Sequence, residues 1–419
     1  MATRSAAAPL PSHTPRLSAG FRALRVRNFR LLWAGQIVSQ IGTWMQTTAQ
    51  AWLVLQLTNS PFALGFVSTL QFLPFTLLSL FGGLIADRFP KRSLLLVTQI
   101  FGLVQASLFA FLVGTGLIQL WHIYLLAVLQ GITNALDNPV RQAFAVEVVG
   151  HDELVNAVAL NSMQFNAARV IGPAIAGVVI ARLGTSPALV INAVSFLAAI
   201  IGLALMNPAQ FFAAPKRPSG RPIQQLREGI GYALHTPIVL LALLVVAFIG
   251  TFGYNFNTVL PLLAGFVLKT DAQGFGALSA AFGVDSLIGA VFSAFNNDIS
   301  VWLLLASASF SALLALLAVT QVLAVTLGLL VVLGIAGVIF GTTANSLVQL
   351  NVPDELRGRV MSLCVLLFIG STPVGSFLIG TLSSAFGVEA ALMVCAILCA
   401  VGVIVALAYW NRSVKHGEV

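Results

Sequence analysis

The chain has 419 residues, of which 58% are hydrophobic and only 8% charged, and its mean hydropathy is +0.97. So few charges cannot clothe a water-soluble domain of this size, so most of the outer surface must face lipid. A formal net charge of +8 would raise nucleic acid as a partner in a soluble protein, but here the cations sit in short clusters between apolar blocks, where they set topology.

Residues 1–28 are rich in Ala, Pro, Ser and Arg, with no apolar core before Phe29. No cleavable signal peptide is expected there, and the tail ends in a basic collar at Arg22, Arg25, Arg27 and Arg30. Apolar blocks then predict spans at about 31–56, 62–86, 94–115, 120–142, 158–182 and 186–206. After a polar break at about 207–236, spans are predicted at about 237–266, 273–295, 300–319, 323–349, 359–384 and 388–410. The runs are long and continuous, not short and alternating, so they are helices and not strands of a barrel. The expectation is an all-α membrane protein with twelve transmembrane helices. Its parts are a basic tail (1–28), a six-helix bundle (29–206), a linker (207–236), a second six-helix bundle (237–410) and a short tail (411–419). Gln224 to Leu234 of the linker reads as a short surface helix.

Lys and Arg placement orients the spans. One side carries Arg22 to Arg30, Arg88, Lys91, Arg92, Arg141, Lys216, Arg217, Arg221, Arg227, Arg357, Arg359, Arg412 and Lys415; the other carries Arg182 and Lys269. Both termini are therefore expected in the cytoplasm, with the chain in the plasma (inner) membrane. The halves also echo each other. Asp152-Glu153-Leu154, Gly172-Pro173 and Gly184 return as Asp354-Glu355-Leu356, Thr372-Pro373 and Gly387. Leu57-Thr58-Asn59 with Leu64-Gly65 returns as Leu268-Lys269-Thr270 with Phe275-Gly276, at an offset of about 200–212 residues.

Polar residues inside the spans are the candidates for function. The first span carries Gln36, Gln40, Thr43, Thr47 and Gln50 on one helix face, with Trp44 beside it. Such a stripe must face protein or a water-filled cavity, and interhelical hydrogen bonding is the plainer alternative. Asp137, Arg169 and Asp285 lie at membrane depth, where ionisable groups are costly. Asp285 is the first choice for proton coupling, set against a protonated packing residue. Asp137 and Arg169 are expected to form a structural ion pair, with Arg169 alternatively attracting an anionic substrate. Cys364, Cys395 and Cys399 fall in spans with no metal-ligand spacing. No nucleotide-binding loop and no metalloprotease or nucleophile-elbow motif occurs, so neither ATP drive, nor catalysis, nor a metal or cofactor is expected.

The loop after the second span, Gly83-Leu-Ile-Ala-Asp87-Arg88-Phe-Pro-Lys91-Arg92, resembles the signature of the major facilitator superfamily of secondary transporters. Pro90 stands where that family commonly has Gly, and the copy after the eighth span is reduced to Asn297-Asp298. Gly172-Pro173-Ala-Ile-Ala-Gly177 resembles the antiporter motif of the fifth span. Gln130-Gly131 resembles part of the fourth-span motif, without the preceding Arg. Phe29-Arg30-Leu-Leu-Trp33, Asp137-Asn138-Pro139-Val140-Arg141 and Asp354-Glu355-Leu356-Arg357-Gly358-Arg359 resemble the branch of siderophore (enterobactin-type) and macrolide exporters.

The resemblance implies alternating access and export of a small amphipathic molecule, a siderophore or drug, coupled to protons, by a monomer that binds no nucleic acid. An importer or uniporter is the alternative; a membrane sensor or enzyme lacks its expected soluble domain or catalytic constellation. It further implies that Gly83, Asp87, Arg88, Lys91 and Arg92 form a cytoplasmic gate, with Asp87 at the positive end of the eleventh helix. Gly83 and Asp87 are assigned to gating, and Lys91 and Arg92 chiefly to topology. By the same analogy spans one, four, seven and ten line a central cavity, which would place Gln40, Trp44, Asn134, Asn255, Asn257 and Asn345 around the substrate.

Overall fold

The structure is a computed structural model that describes residues 20–213, 222–292 and 299–415. Side chains at 79–84, 86, 87, 222–226, 284–292 and 413–415 lie outside the description. The first helices are α1 (Arg27–Thr58), α2 (Pro61–Arg88), α3 (Lys91–Gly114), α4 (Leu120–Val149), α5 (Leu154–Leu183) and α6 (Thr185–Ala204). A short amphipathic helix, α7 (Pro222–His235), falls where the linker suggested one. It is followed by α8 (Pro237–Phe248), α9 (Phe256–Leu262), α10 (Ala272–Phe292), α11 (Ile299–Val319) and α12 (Leu323–Asn351). The chain ends in α13 (Asp354–Phe368), α14 (Thr372–Phe386) and α15 (Val388–Lys415). Among the described residues there is no strand.

Nine stretches of described residues are long and apolar enough to cross a bilayer. Two of them are compound. Pro237–Val267 joins α8 to α9 through π-helical turns at Ile249–Gly253 and Leu263–Val267, and Asp354–Phe386 joins α13 to α14. The helices α1 and α4 are longer than most of these, but glutamines, asparagines and charges dilute them. Lipid-facing character is written on the outer faces. On α3, Val97, Ile100, Phe101, Val104, Leu108 and Phe111 are all exposed and recur at helical spacing, the reverse of a soluble helix. Val190, Val194, Leu197 and Ile201 do the same on α6.

The internal echo is visible in the backbone. Asn59 and Lys269 are the described non-glycine residues with positive φ, at 46° and 47°. Each closes a span just before a polar cap opens the next helix: Ser60 Oγ accepts from Ala63 N, and Asp271 Oδ1 accepts from Gly274 N. Gly184 and Gly387, at φ 87° and 91°, form a second matched pair.

In packing, α1 lies between α5 and α6, and α2 and α3 flank α4, while α12 lies between α10 and α11, and α15 covers α8, α11 and α14. The two most extensive contacts between these sets are α2 with α14 and α5 with α10, and α9 also packs on α1 and α2. The first two are glycine crossings. A methyl group placed on Gly65 would lie 2.5 Å from Ser376 O and 2.6 Å from Gly380 Cα. One placed on Gly177 would lie 2.9 Å from Ala272 O and 3.0 Å from Gly276 Cα. Both crossings are at the end of the bundle where α1 turns into α2 and α5 into α6.

Candidate functional site

Two adjoining cavities lie along α1, at and below the level of the crossings. The larger, about 260 Å³, is lined mostly from α1 to α6, with Asn257 and Ile369 reaching in from the other set. Its walls are amides and hydroxyls, among them Gln36, Gln40, Thr43, Gln71, Gln99, Thr133 and Asn134. The smaller, about 120 Å³, is aromatic: Trp44, Tyr254, Phe256, Phe275 and Phe282 surround it, with Arg169 and Pro173. Trp44, Thr47 and Asn257 line both.

The amide walls are held from behind. Gln46 Nε2 donates to Oε1 of Gln105 and of Gln130, each at 3.2 Å, and Asn192 Nδ2 donates to Gln46 Oε1 at 2.7 Å. One side chain of α1 thereby ties α3, α4 and α6. Gln105 also donates to the Leu126 carbonyl, and Gln50 reaches Gln71 of α2. Each such group in a low-dielectric bundle needs a partner, and the hydrogen bonds centred on Gln46 fix the helices' rotation about their axes.

Asp137 sits at one end of the large cavity and is buried. Its Oδ1 accepts from Thr98 Oγ1 at 2.7 Å and from Gln99 Nε2 at 2.9 Å. Its Oδ2 pairs with Nη2 of Arg141, one turn further along α4. The expected Asp137–Arg169 pair is therefore corrected: the partner is Arg141, because (i, i+4) spacing on one helix puts the two groups side by side. Arg169 faces the aromatic cavity instead, its guanidinium carbon 5.3 Å from the centre of the Phe282 ring.

Of the expected cavity residues, Gln40, Trp44, Asn134 and Asn257 do line the cavities. Asn255 does not. It is buried, donates to Thr251 O at 2.7 Å and accepts from Ser376 Oγ, and so joins the broken seventh-span helix to α14. Asn345 is exposed on α12, accepts from Gln349 and lines neither cavity. In the antiporter-like segment, Gly172 lets α1 approach, since a methyl there would lie 2.5 Å from Trp44 Cβ. Pro173 lines the aromatic cavity, and Gly177 makes the α10 crossing.

In the loop segment, Gly83 and Asp87 fall in the last turns of α2 and Asp285 falls in α10, but their side chains lie outside the described residues. Arg88 ends α2 and is exposed. Lys91 pairs with Glu147 of α4 at 2.5 Å. Arg92 donates to the Leu203 and Ala204 carbonyls at 2.8 and 2.9 Å, the free C-terminal carbonyls of α6. These contacts stay within α3, α4 and α6.

A family model described as a transmembrane secretion effector matches residues 18–418. The chain belongs to the transmembrane secretion effector family, within the major facilitator transporters. This member is 28% identical over 357 residues to the staphyloferrin A transporter of Staphylococcus aureus, covering 83% of this chain and 87% of that one. It is 24% identical to the multidrug efflux pump Tap of Mycolicibacterium fortuitum, over 83% and 87% of the two chains. It is 24% identical to the enterobactin exporter EntS of Escherichia coli O1:K1, over 85% of each. Its fold matches a bacterial homolog of the lysosomal transporter Spinster with a TM-score of 0.72 at 14% identity, over 93% and 98% of the chains. It also matches a POT family transporter, with a TM-score of 0.72 at 11% identity, over 92% and 96%.

Proposed function

We propose that this transporter exports a small amphipathic molecule by alternating access, driven by the proton gradient. Twelve spans form two six-helix halves, 29–206 and 237–410, with both termini in the cytoplasm. The chain works as a monomer in the plasma membrane, without cofactor or metal. In this reading the glycine crossings close the outer end of the cavity, and the Gly83–Asp87 segment closes the inner end in the opposite state. Asp285 carries the coupling proton.

The observation that supports the reading is a pair of adjoining cavities lined from both sets of helices, beside glycine crossings made at echoing positions. Gly65 opens the second helix of one half as Gly276 opens the second helix of the other; Gly177 and Gly380 follow the proline of each fifth helix. Such paired contacts can be exchanged for a matching pair at the other end as the halves rock. The exporters among the relatives support the outward direction.

The test is transport into inverted vesicles with an imposed pH gradient, screened against siderophores, macrolides and lipophilic cations. Gradient-dependent accumulation of one class is expected. Accumulation indifferent to the gradient refutes proton antiport, and movement only in the reverse sense favours an importer. Asp285→Asn abolishes accumulation at normal membrane abundance if the carboxylate carries the proton; unaltered transport removes it from the mechanism.

A further inference from the structure

We propose that the inner end of α1, with the turn before it, is a headgroup site for an anionic phospholipid of the cytoplasmic leaflet. Arg25, Arg27 and Arg30 hold the headgroup phosphate, and an acyl chain runs along the outer face of α1. The proposal takes only the side of the membrane from the transport reading.

The charge there is local and uncompensated. Residues 1–30 carry six arginines, and the first acidic residue of the chain is Asp87. Arg22 pairs with Glu153 of α5 at 2.9 Å. Arg25, Arg27 and Arg30 are exposed and, among the described residues, form no ion pair. The guanidinium fork matches phosphate oxygens, and each cation at an acidic membrane surface strengthens binding roughly fivefold.

The arginines are held in a fixed direction. Phe29 is fully buried, and Asn28 exchanges two hydrogen bonds with the Asn207 backbone, each at 3.0 Å. Trp33 Nε1 donates to Leu160 O at 3.1 Å. Ala23, in the preceding turn, is buried, and its N–H donates to Asn156 Oδ1 at 2.8 Å. With Asn28 and Phe29 turned inward, helical spacing turns Arg27 and Arg30 outward, one turn apart. The segment Phe29-Arg30-Leu-Leu-Trp33 thus anchors by its aromatics and presents its arginine.

That outward face is a lipid face. Between residues 27 and 40 the exposed positions are Arg27, Arg30, Ala34 and Val38, a single stripe at helical spacing. At 3.6 residues per turn, the cavity residues Gln40, Thr43 and Thr47 lie on the opposite side of the helix. Alongside, α6 packs closely, since a methyl on Gly35 would lie 2.6 Å from Ala198 O, and it exposes Leu197 and Ile201. The surface therefore passes from apolar to cationic within three turns. A soluble anion meets only the arginines, and a zwitterionic lipid brings a second cation beside them. An anionic phospholipid satisfies both parts.

The experiment is native mass spectrometry of the full chain in detergent, titrated with phosphatidylglycerol or phosphatidylcholine of identical acyl chains. Phosphatidylglycerol is expected to bind at least about tenfold tighter. Arg27→Gln with Arg30→Gln should erase that preference. Arg227→Gln with Arg412→Gln removes equal charge from exposed positions elsewhere on the expected cytoplasmic side and should keep it. Phosphatidylglycerol carrying a diazirine on its acyl chain should crosslink the unaltered protein at residues 34–38 and on the adjoining turns of α6, a readout that needs no variant to fold. Equal binding of the two lipids, a preference that survives the first variant or is lost in the second, or crosslinks confined to other helices each overturns the proposal. Complete displacement by glycerol phosphate marks a site for soluble anions and overturns it too. Lipid binding in detergent needs neither gradient nor substrate, so a chain that binds the lipid but moves nothing in vesicles refutes the transport reading and leaves this site intact.

Discussion

Adding one methyl group at Gly65 should shift the resting state of the protein. That methyl would lie 2.5 Å from Ser376 O and 2.6 Å from Gly380 Cα. Both neighbours are backbone atoms and cannot rotate away, so α2 and α14 must separate to reach ordinary van der Waals distance. Overpacking of this kind costs about 1–3 kcal/mol. Alanine also favours helix over glycine by roughly 1 kcal/mol, but that gain is common to both states and cancels. The whole penalty falls on the state in which the crossing is closed. At about 1.4 kcal/mol per tenfold, the open-to-closed ratio should rise roughly five- to 150-fold. A membrane-impermeant maleimide applied from the crossing side reads this directly. The reporter is Thr47→Cys, which lines both cavities, in a background lacking Cys364, Cys395 and Cys399. Its labelling rate should rise with Gly65→Ala and again with Gly380→Ala. Gly341→Ala is the control, because a methyl there meets nothing within 4 Å. Unchanged labelling in Gly65→Ala, or an equal rise in the control, would refute the crossing as a gate.

Three further outcomes follow from the contacts. Lys91→Met leaves Glu147 half-enclosed without its partner, so the detergent-solubilised protein should lose a few kcal/mol of stability, discounted from the ~3–5 kcal/mol of a fully buried pair. Lys91→Met with Glu147→Leu should recover most of it, and Thr47→Cys labelling should not move; an altered labelling rate would return Lys91 to the gate. Gln46→Leu removes three interhelical hydrogen bonds, those to Gln105 Oε1, Gln130 Oε1 and Asn192 Nδ2, so about 2 kcal/mol should be lost from a denaturant titration at unchanged direction of transport. Asn255→Ala should reduce thermal stability without changing which substrates are moved, because Asn255 bonds Thr251 and Ser376 and faces no cavity; a changed substrate profile would place it in the site.

The all-helical membrane fold, the surface helix in the linker and the internal echo were legible in the chain, because lipid enforces long apolar runs and repeated turns need the same special residues. The cavity was legible in part. The stripe from Gln36 to Gln50 marked α1 correctly, but helical spacing does not say which amides face water and which face a neighbour. The structure divides them: Gln36, Gln40, Thr43 and Thr47 line the cavity, while Gln50 is buried against Gln71. Gln46, off that stripe, turned out to be the hub. Its signal was available, since Gln71, Gln99, Gln105 and Gln130 stand alone in apolar spans and each must find a partner. Arg141 was read as a topology residue from its place near a span end; its role with Asp137 depends on α4 running on to Val149, past the end that hydropathy suggested.

The distribution of polar groups bears on which parts can move. The amide network binds α1, α3, α4 and α6 by side-chain hydrogen bonds that fix both distance and rotation. The crossings between α2 and α14 and between α5 and α10 are built differently. There small residues bring backbones together, and cross-bonds such as Thr69 to Pro373 O and Thr76 to Gly370 O come from hydroxyls also bonded within their own helix. When such a contact opens, the hydroxyl keeps its intrahelical acceptor and is not stranded. Opening the amide network would strand several. The cheap surface to separate is therefore the one between the two sets of helices, and the costly one lies within the first set. A rocking motion that leaves each set rigid is what that asymmetry of cost selects.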